Sequence, residues 1–275
     1  MIEDPRYLLN YRNGEYSLEG EEGILEYIVN KIPKNERDNF IVEFGACDGI
    51  VFSNSLHFIK NLNFEAIEIE PDEIQFESLV KNMKPYNVEC IKTFVTKYED
   101  NILDNSNKHV PINFDILVMD VDNNDIHLWE TIKKYKPKIL MVEINNTLLP
   151  TEDKVAQYDA EFIFGKHGSS IKSMTEVAQK KGYKLICNIS CNAIYIDAKY
   201  YNLFFKNDYH VEDFYTFEGF NIKRWFFELS LFSKIRKFEE ATRRDKVLYN
   251  LNKFTAFIHI IINIFTKNKR KNRVL

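Results

Sequence analysis

Cysteine is scarce in this chain of 275 residues, and the four present, Cys47, Cys90, Cys187 and Cys191, are scattered along it. No two of them form a C-x-x-C pair, so neither a disulfide framework nor a cysteine zinc site is written into the sequence. Long apolar runs are lacking as well. The longest, Phe254 to Phe265, is broken by Thr255, His259 and Asn263 and is too short to span a bilayer. The N-terminus has no basic segment followed by an apolar one, as a signal peptide would require. Internal repeats and Pro- or Ser-rich linkers are also absent. These absences predict a reducing, cytoplasmic setting. What is present, 45% hydrophobic and 28% charged residues, suits a soluble globular protein with a sizeable core rather than a disordered or collagen-like chain.

The net charge of -4 conceals a division along the chain. Residues 221–275 hold 14 Lys and Arg against 4 Asp and Glu, a net of +10, while residues 1–220 hold 23 against 37, a net of -14. An acidic body of residues 1–220 carries a basic extension of residues 221–275, and such a body repels the phosphate backbone of nucleic acid.

From Phe40 onward, short apolar runs alternate with stretches of helical period, the pattern of an open α/β sheet covered on both faces. Strands are predicted at 40–46, 64–70, 88–95, 114–121, 138–144, 183–187 and 192–197, with helices near 54–61, 72–83, 124–135 and 169–181. Ser17 to Glu22 reads as the cap of a further helix preceding the first strand. Too few residues join the last two strands for a parallel crossover, so they form an antiparallel hairpin at one edge. Five βα units and a hairpin give a seven-stranded, mostly parallel, Rossmann-like sheet, the layout of a class I methyltransferase rather than of a full dinucleotide dehydrogenase domain.

The loop after the first strand, Glu43-Phe44-Gly45-Ala46-Cys47-Asp48-Gly49, is built of small residues, and its glycines suit close approach of a ligand to backbone. It is not G-x-G-x-x-G and has no P-loop lysine. Glu43 and Asp48 place negative charge where a diphosphate would sit, which favours a ligand bearing an ammonium group. Glu70 closes the second strand 25 positions beyond Gly45, where a carboxylate can accept bonds from both ribose hydroxyls; Glu68 points the same way but lies deeper.

With Ser53-Asn54 after it and Glu70 beyond, the E-F-G-A-x-D-G loop resembles S-adenosylmethionine (SAM) dependent methyltransferases related to the FkbM group. Met119-Asp-Val-Asp-Asn-Asn-Asp125 with Trp129, followed by Pro137 to Asn145, is similar to the D-I-D-G-N-D…W…P…E-x-N signature of one branch of that group. Ser17-x-Glu-Gly-Glu-Glu-Gly23 resembles the branch's N-terminal motif. The resemblance covers about residues 15–205, and Asn123 departs from the usual glycine. It implies that SAM binds at Glu43, Gly45, Ala46, Asp48, Gly49, Ser53, Asn54, Glu70 and Asp120, and that the acceptor is a hydroxyl of a sugar or glycan. An amine acceptor, or a membrane-associated glycan-pathway adaptor without turnover, is an alternative reading.

Asp120, Asp122 and Asp125 leave the fourth strand, and Glu143, Asn145 and Asn146 leave the fifth, so hard oxygen ligands converge at the carboxyl edge of the sheet. Two readings stay open: a Mg²⁺ held by Asp120, Glu143 and Asn145, or a metal-free cluster that caps the next helix and bonds the acceptor. Resemblance to metal-dependent sugar O-methyltransferases assigns the base to Asp122, with Asp125 beside it. His167, in a glycine-flanked loop, is the other candidate base. His127 could reach the same pocket, and Trp129 reads as core.

In the extension, Asn252, Thr255, His259 and Asn263 form a narrow polar stripe on an otherwise apolar helical stretch, followed by the basic run Lys267–Arg273. Residues 247–275 therefore read either as a peripheral contact with the inner face of a membrane or as a contact with a protein, a second copy of the chain included.

Overall fold

The computed structural model describes residues 3–95, 100–158 and 168–215. Seven strands, β1 (Phe40–Phe44), β2 (Glu65–Ile69), β3 (Val88–Ile91), β4 (Ile116–Met119), β5 (Ile139–Glu143), β6 (Tyr183–Ile189) and β7 (Asn192–Asp197), form one sheet in the order β3-β2-β1-β4-β5-β7-β6. All neighbours from β3 to β5 are parallel, and β7 is antiparallel to both β5 and β6. This is the Rossmann-like methyltransferase fold that the sequence predicts, with the hairpin inserted so that its second strand meets β5. Every residue of β1 and β4 is buried, as parallel strands covered on both faces require.

The helices are α1 (Glu21–Lys31), α2 (Leu56–Leu62), α3 (Glu73–Met83), α4 (Asp100–Asp104), α5 (Asp125–Thr131), α6 (Ile171–Lys180) and α7 (Val211–Phe214). Side chains cap two of the predicted ones. Asp72 accepts from the backbone N–H groups of Ile74 and Gln75 ahead of α3, and Ser170 accepts from Ser173 N ahead of α6. α5 is shorter than its apolar period suggests. Ile132 leaves the helix in an extended conformation, and Lys181 Nζ takes up the carbonyls of Trp129 and Ile132. Trp129 is fully buried with its ring edge-on to Tyr183, a core role as expected.

The start of α1 keeps the expected Ser17–Glu22 pairing around a glycine N-cap. Gly20 is the N-cap, in the left-handed region at φ 85°, and Ser17 Oγ accepts from Glu22 N in the first turn at 3.5 Å. Glu22 turns back in return, its carboxylate accepting from the backbone N–H groups of Glu15, Tyr16 and Ser17. A Cβ on Gly23 would lie 2.4 Å from Tyr11 O. The glycines and acids of the N-terminal motif thus fold residues 11–22 into a compact turn. The short α4, α7 and three 3-10 turns at Tyr7–Tyr11, Lys34–Glu36 and Ala198–Leu203 are additions to the sequence reading. No helix among the described residues is long and apolar enough to cross a membrane. The expected boundary between residues 220 and 221, and the whole basic extension, lie outside the described residues.

Candidate active site

The strand order reverses direction at β1, whose neighbours β2 and β4 follow it on opposite sides, and it is beyond the carboxyl ends of the strands at such a point that open α/β sheets bind their ligands. The loop from Gly45 to Asn54 and the segment from Asp120 to Asp125 line this point. They meet directly. Gly45 has φ 83°, and a Cβ there would lie 1.9 Å from the carbonyl oxygen of Asp120, so only glycine permits the approach of the two chain segments. Gly49, at φ 75°, faces α3, where a Cβ would come within 2.6 Å of Leu79 Cδ1 and 2.7 Å of Met83 Cε. Its conformation serves packing of the loop on α3, as that of Gly45 serves the approach to Asp120.

Glu70 ties β2 to this loop. One carboxylate oxygen accepts from Cys47 N at 2.8 Å and the other from Asp72 N at 2.8 Å. Cys47 itself is left-handed at φ 52°, a strained conformation that the Glu70 bond holds in place. Burial pushes the Glu70 pKa up, and the bonds from Asp72 and Cys47 act against that. Each oxygen of a carboxylate has a second lone pair, so Glu70 retains acceptor capacity towards a hydroxylated ligand. Asp48 Oδ1 accepts from Ile50 N and Val51 N and fixes the rest of the turn. Ala46 is buried, and its N–H bonds Ile69 O together with that of Gly45.

Glu43 lies behind the loop rather than on it. It is 3% exposed and accepts from Asn54 N at 3.2 Å and Ser53 Oγ at 3.4 Å. Ser53 Oγ in turn accepts from Leu56 N at the start of α2. Glu43, Ser53 and Asn54 therefore form one buried network supporting the loop, and Asn54 Oδ1 has no partner among the described residues.

Across the crevice, Asp120 reaches solvent while Asp125 is buried. The surrounding protein, and then Asp122, Glu43 and Glu21, push the Asp120 pKa up to about 7. Burial and then Asp120 raise Asp125 further; its Oδ1 accepts from Val121 N, and its Oδ2 has no partner among the described residues. Asp122 and Asn123 stand at φ 49° and 79°, so two successive left-handed residues present the Asp122 side chain at the turn. Asn123 makes a bond that glycine could not, its Nδ2 donating to Gln157 O at 2.8 Å. His127 acts beside it, Nε2 lying 2.7 Å from Ala156 O, so His127 holds the loop after β5 instead of facing the crevice.

One of the expected metal ligands is already engaged. Asn145 Oδ1 accepts from both Thr147 N at 3.0 Å and Thr147 Oγ1 at 2.6 Å, which commits the oxygen a cation would need. Among the described residues no group of three or more His, Cys, Asp or Glu is placed to hold a metal ion. A Mg²⁺ at Asp120, Glu143 and Asn145 would require Asn145 Oδ1 to leave Thr147. Glu143 is partly buried at the end of β5. His167 lies outside the described residues.

One member of the cluster escapes the sequence reading. Glu21, buried at the start of α1, accepts from Asn192 Nδ2 at 2.9 Å and from Glu19 N at 2.8 Å, and it contributes to the raised pKa of Asp120. Asn192 is the register partner of Glu143. The N-terminal motif is visible in the sequence, but the 171-residue separation of Glu21 and Asn192 hides which strand end it serves.

No family model and no curated protein matches the sequence. Solved structures resemble it distantly. The CMeT domain of the citrinin polyketide synthase is 13% identical at a TM-score of 0.43, covering 65% of this chain and 51% of that one. The N-terminal domain of EvdMO1 in the presence of SAH and D-fucose is 12% identical at 0.41, covering 70% and 91%. Fibrillarin from Methanococcus jannaschii is 15% identical at 0.42, covering 61% and 70%. The chain thus spans about half the length of the first of these. At such scores the likenesses add nothing to the strand order, which is what defines the class I methyltransferase fold here.

Proposed function

We propose that this chain is a SAM-dependent O-methyltransferase of the FkbM-related branch, acting on a hydroxyl of a sugar or glycan. The observation that carries the reading is the carboxyl edge at the strand-order reversal. There Glu70 orders the Gly45–Asp48 turn, while Asp120 and Asp125 face it with no cation paired to either among the described residues. Uncompensated negative charge in such a crevice is costly unless a cationic ligand or protons balance it, and SAM carries a sulfonium and an ammonium group. Bound there, SAM supplies an electrophilic methyl group.

The chain's own residues bind, orient and deprotonate. Glu70 accepts the ribose hydroxyls with its remaining lone pairs, and the Gly45–Gly49 turn and Asp120 flank the cofactor. Asp122, presented by its left-handed turn, takes the proton of the acceptor hydroxyl as the oxygen attacks, with His167 as the second candidate for that proton. The Asp- and Asn-rich rim suits a polyhydroxylated acceptor, and the choice of a sugar rests on the motif resemblance over residues 15–205. Residues 247–275 would hold the enzyme to a membrane surface or to a protein, and flotation with liposomes before and after their deletion separates these.

The test is a thermal-shift titration of the full chain with SAM, with and without EDTA, followed by methyl transfer to a panel of sugar and amino-sugar acceptors. Saturable stabilisation and transfer to a hydroxyl support the reading. Transfer to amines alone replaces it with N-methylation, and no shift with SAM contradicts it.

A further inference from the structure

Glu68 is an acidic side chain of the sheet interior that the proposed chemistry leaves unused. It is fully buried in β2, where its neighbours are the Ser55 hydroxyl and the Glu43 carboxyl, and neither of its oxygens accepts a well-formed hydrogen bond among the described residues. Parallel pairing sets it directly opposite Glu43 on β1 and opposite Cys90 on β3. Those two are the titratable groups facing it from the neighbouring strands. The turn before α2 contributes the hydroxyls of Ser53 and Ser55, and Asp120 beyond the end of β4 adds further negative charge to Glu43. Among the described residues the groups that act most strongly on the two carboxyls include no cation.

Two adjacent buried carboxylates without a cation cannot both stay ionised, since desolvation and mutual repulsion oppose the second charge. A proton on one of them removes both difficulties at once. It cancels a charge and turns an acceptor without a partner into a donor. Glu43 is the natural acceptor, because its carboxylate already receives Asn54 N and Ser53 Oγ. We propose that Glu68 is a protonated positioning residue that donates to Glu43 and thereby locks the Ser53–Asn54 turn behind the cofactor loop. The effect on the cofactor rests on the SAM-binding reading above; the shared proton does not.

Burial and the neighbouring carboxylate both raise Glu68, while Glu43 is raised by burial. The sign of the consequence follows. The folded state keeps a proton that the unfolded state releases near its ordinary pKa of about 4.3, so stability is full below that value. It is lost as pH rises through the folded-state pKa, where the pair must carry two charges.

The experiment compares wild type with Glu68→Gln and Glu68→Leu across pH 5 to 9, measuring thermal stability without ligand and SAM affinity by calorimetry. Infrared spectra of the Glu-labelled full chain at pH 8 provide a direct view of a protonated carboxyl. Expected are a protonated carboxyl band in wild type that vanishes in Glu68→Gln, and a melting temperature that falls with pH in wild type but less steeply in Glu68→Gln. The amide keeps the donor, so Glu68→Gln retains wild-type SAM affinity at pH 7, while Glu68→Leu loses at least several-fold. Absence of the band in wild type, or parallel pH profiles for wild type and Glu68→Gln, overturns the shared proton, and equal SAM affinity in both variants overturns the positioning role. If SAM binds neither wild type nor variants, the functional reading fails while the band and the pH profiles still decide on the proton.

Discussion

At the amino edge of the sheet, Asp115 is fully buried, and Lys138 Nζ lies 3.1 Å from its Oδ1 and 2.6 Å from Oδ2 of Asp38. Lys138 itself is 3% exposed, and Asp115 Oδ2 accepts from the backbone N–H groups of Asp38 and Phe40. At the carboxyl edge the same sheet carries Glu43, Glu68, Asp120 and Asp125, and none of them has an ion-pair partner among the described residues. One end is neutralised by a lysine; the other has only protons, solvent or a ligand to balance it. A buried carboxylate without a cation is unstable unless one of these completes it, and this difference between the two edges is what the proposed cofactor site rests on.

If the carboxyl edge serves chemistry and the amino edge serves the fold, loss of a charged group should act on different quantities at the two ends. The largest effect is expected from Asp122→Ala, which should lower turnover about 10²–10⁴-fold through loss of the base while leaving SAM affinity nearly unchanged. Single-turnover kinetics beside calorimetry checks this, and a loss of SAM binding instead would remove Asp122 from the role of base. At the opposite edge, Lys138→Met should cost about 3–5 kcal/mol in urea denaturation, because it strands Asp115 in the interior. A near-neutral result would erase the contrast between the edges.

The expected loss for Glu70→Ala is smaller, on the order of 2 kcal/mol in SAM binding, since charge-assisted hydrogen bonds are of this size. Part of that loss would come through the Cys47 turn that Glu70 orders. The smallest effect is Asp120→Asn. The folded state raises the Asp120 pKa to about 7, so ionisation opposes folding above that pH. The variant should melt slightly higher than wild type at pH 8 and at the same temperature at pH 3, where Asp120 is protonated in either state. A lower melting temperature at pH 8 would show that the carboxylate stabilises the crevice.

Much of the fold is legible in the sequence because it rests on local signals. Seven apolar runs correspond to seven strands, and the short link between Ile189 and Asn192 forces a hairpin. The glycine loop and Glu70 are legible for the same reason, since a βα turn and a strand end occupy fixed places in an alternating pattern. What stays hidden depends on contacts distant in sequence. Glu21 reaches Asn192 only because α1 packs over the sheet, and Asn123 and His127 find the loop at Ala156 and Gln157 only once β4 and β5 are adjacent. The expected metal triad illustrates the converse: residue types and strand ends agree, but Thr147, two positions after Asn145, takes its oxygen. Along one strand Glu68 reads as a competitor of Glu70, whereas its meaning lies across strands, opposite Glu43.

The most direct measurement of the central claim is a calorimetric titration of the full chain with SAM, run in parallel on wild type and Glu70→Ala. Saturable one-to-one binding in wild type, weakened at least tenfold in Glu70→Ala, is the predicted result. No binding in wild type, or equal binding in the two proteins, would contradict a cofactor site at the carboxyl edge of β1, β2 and β4.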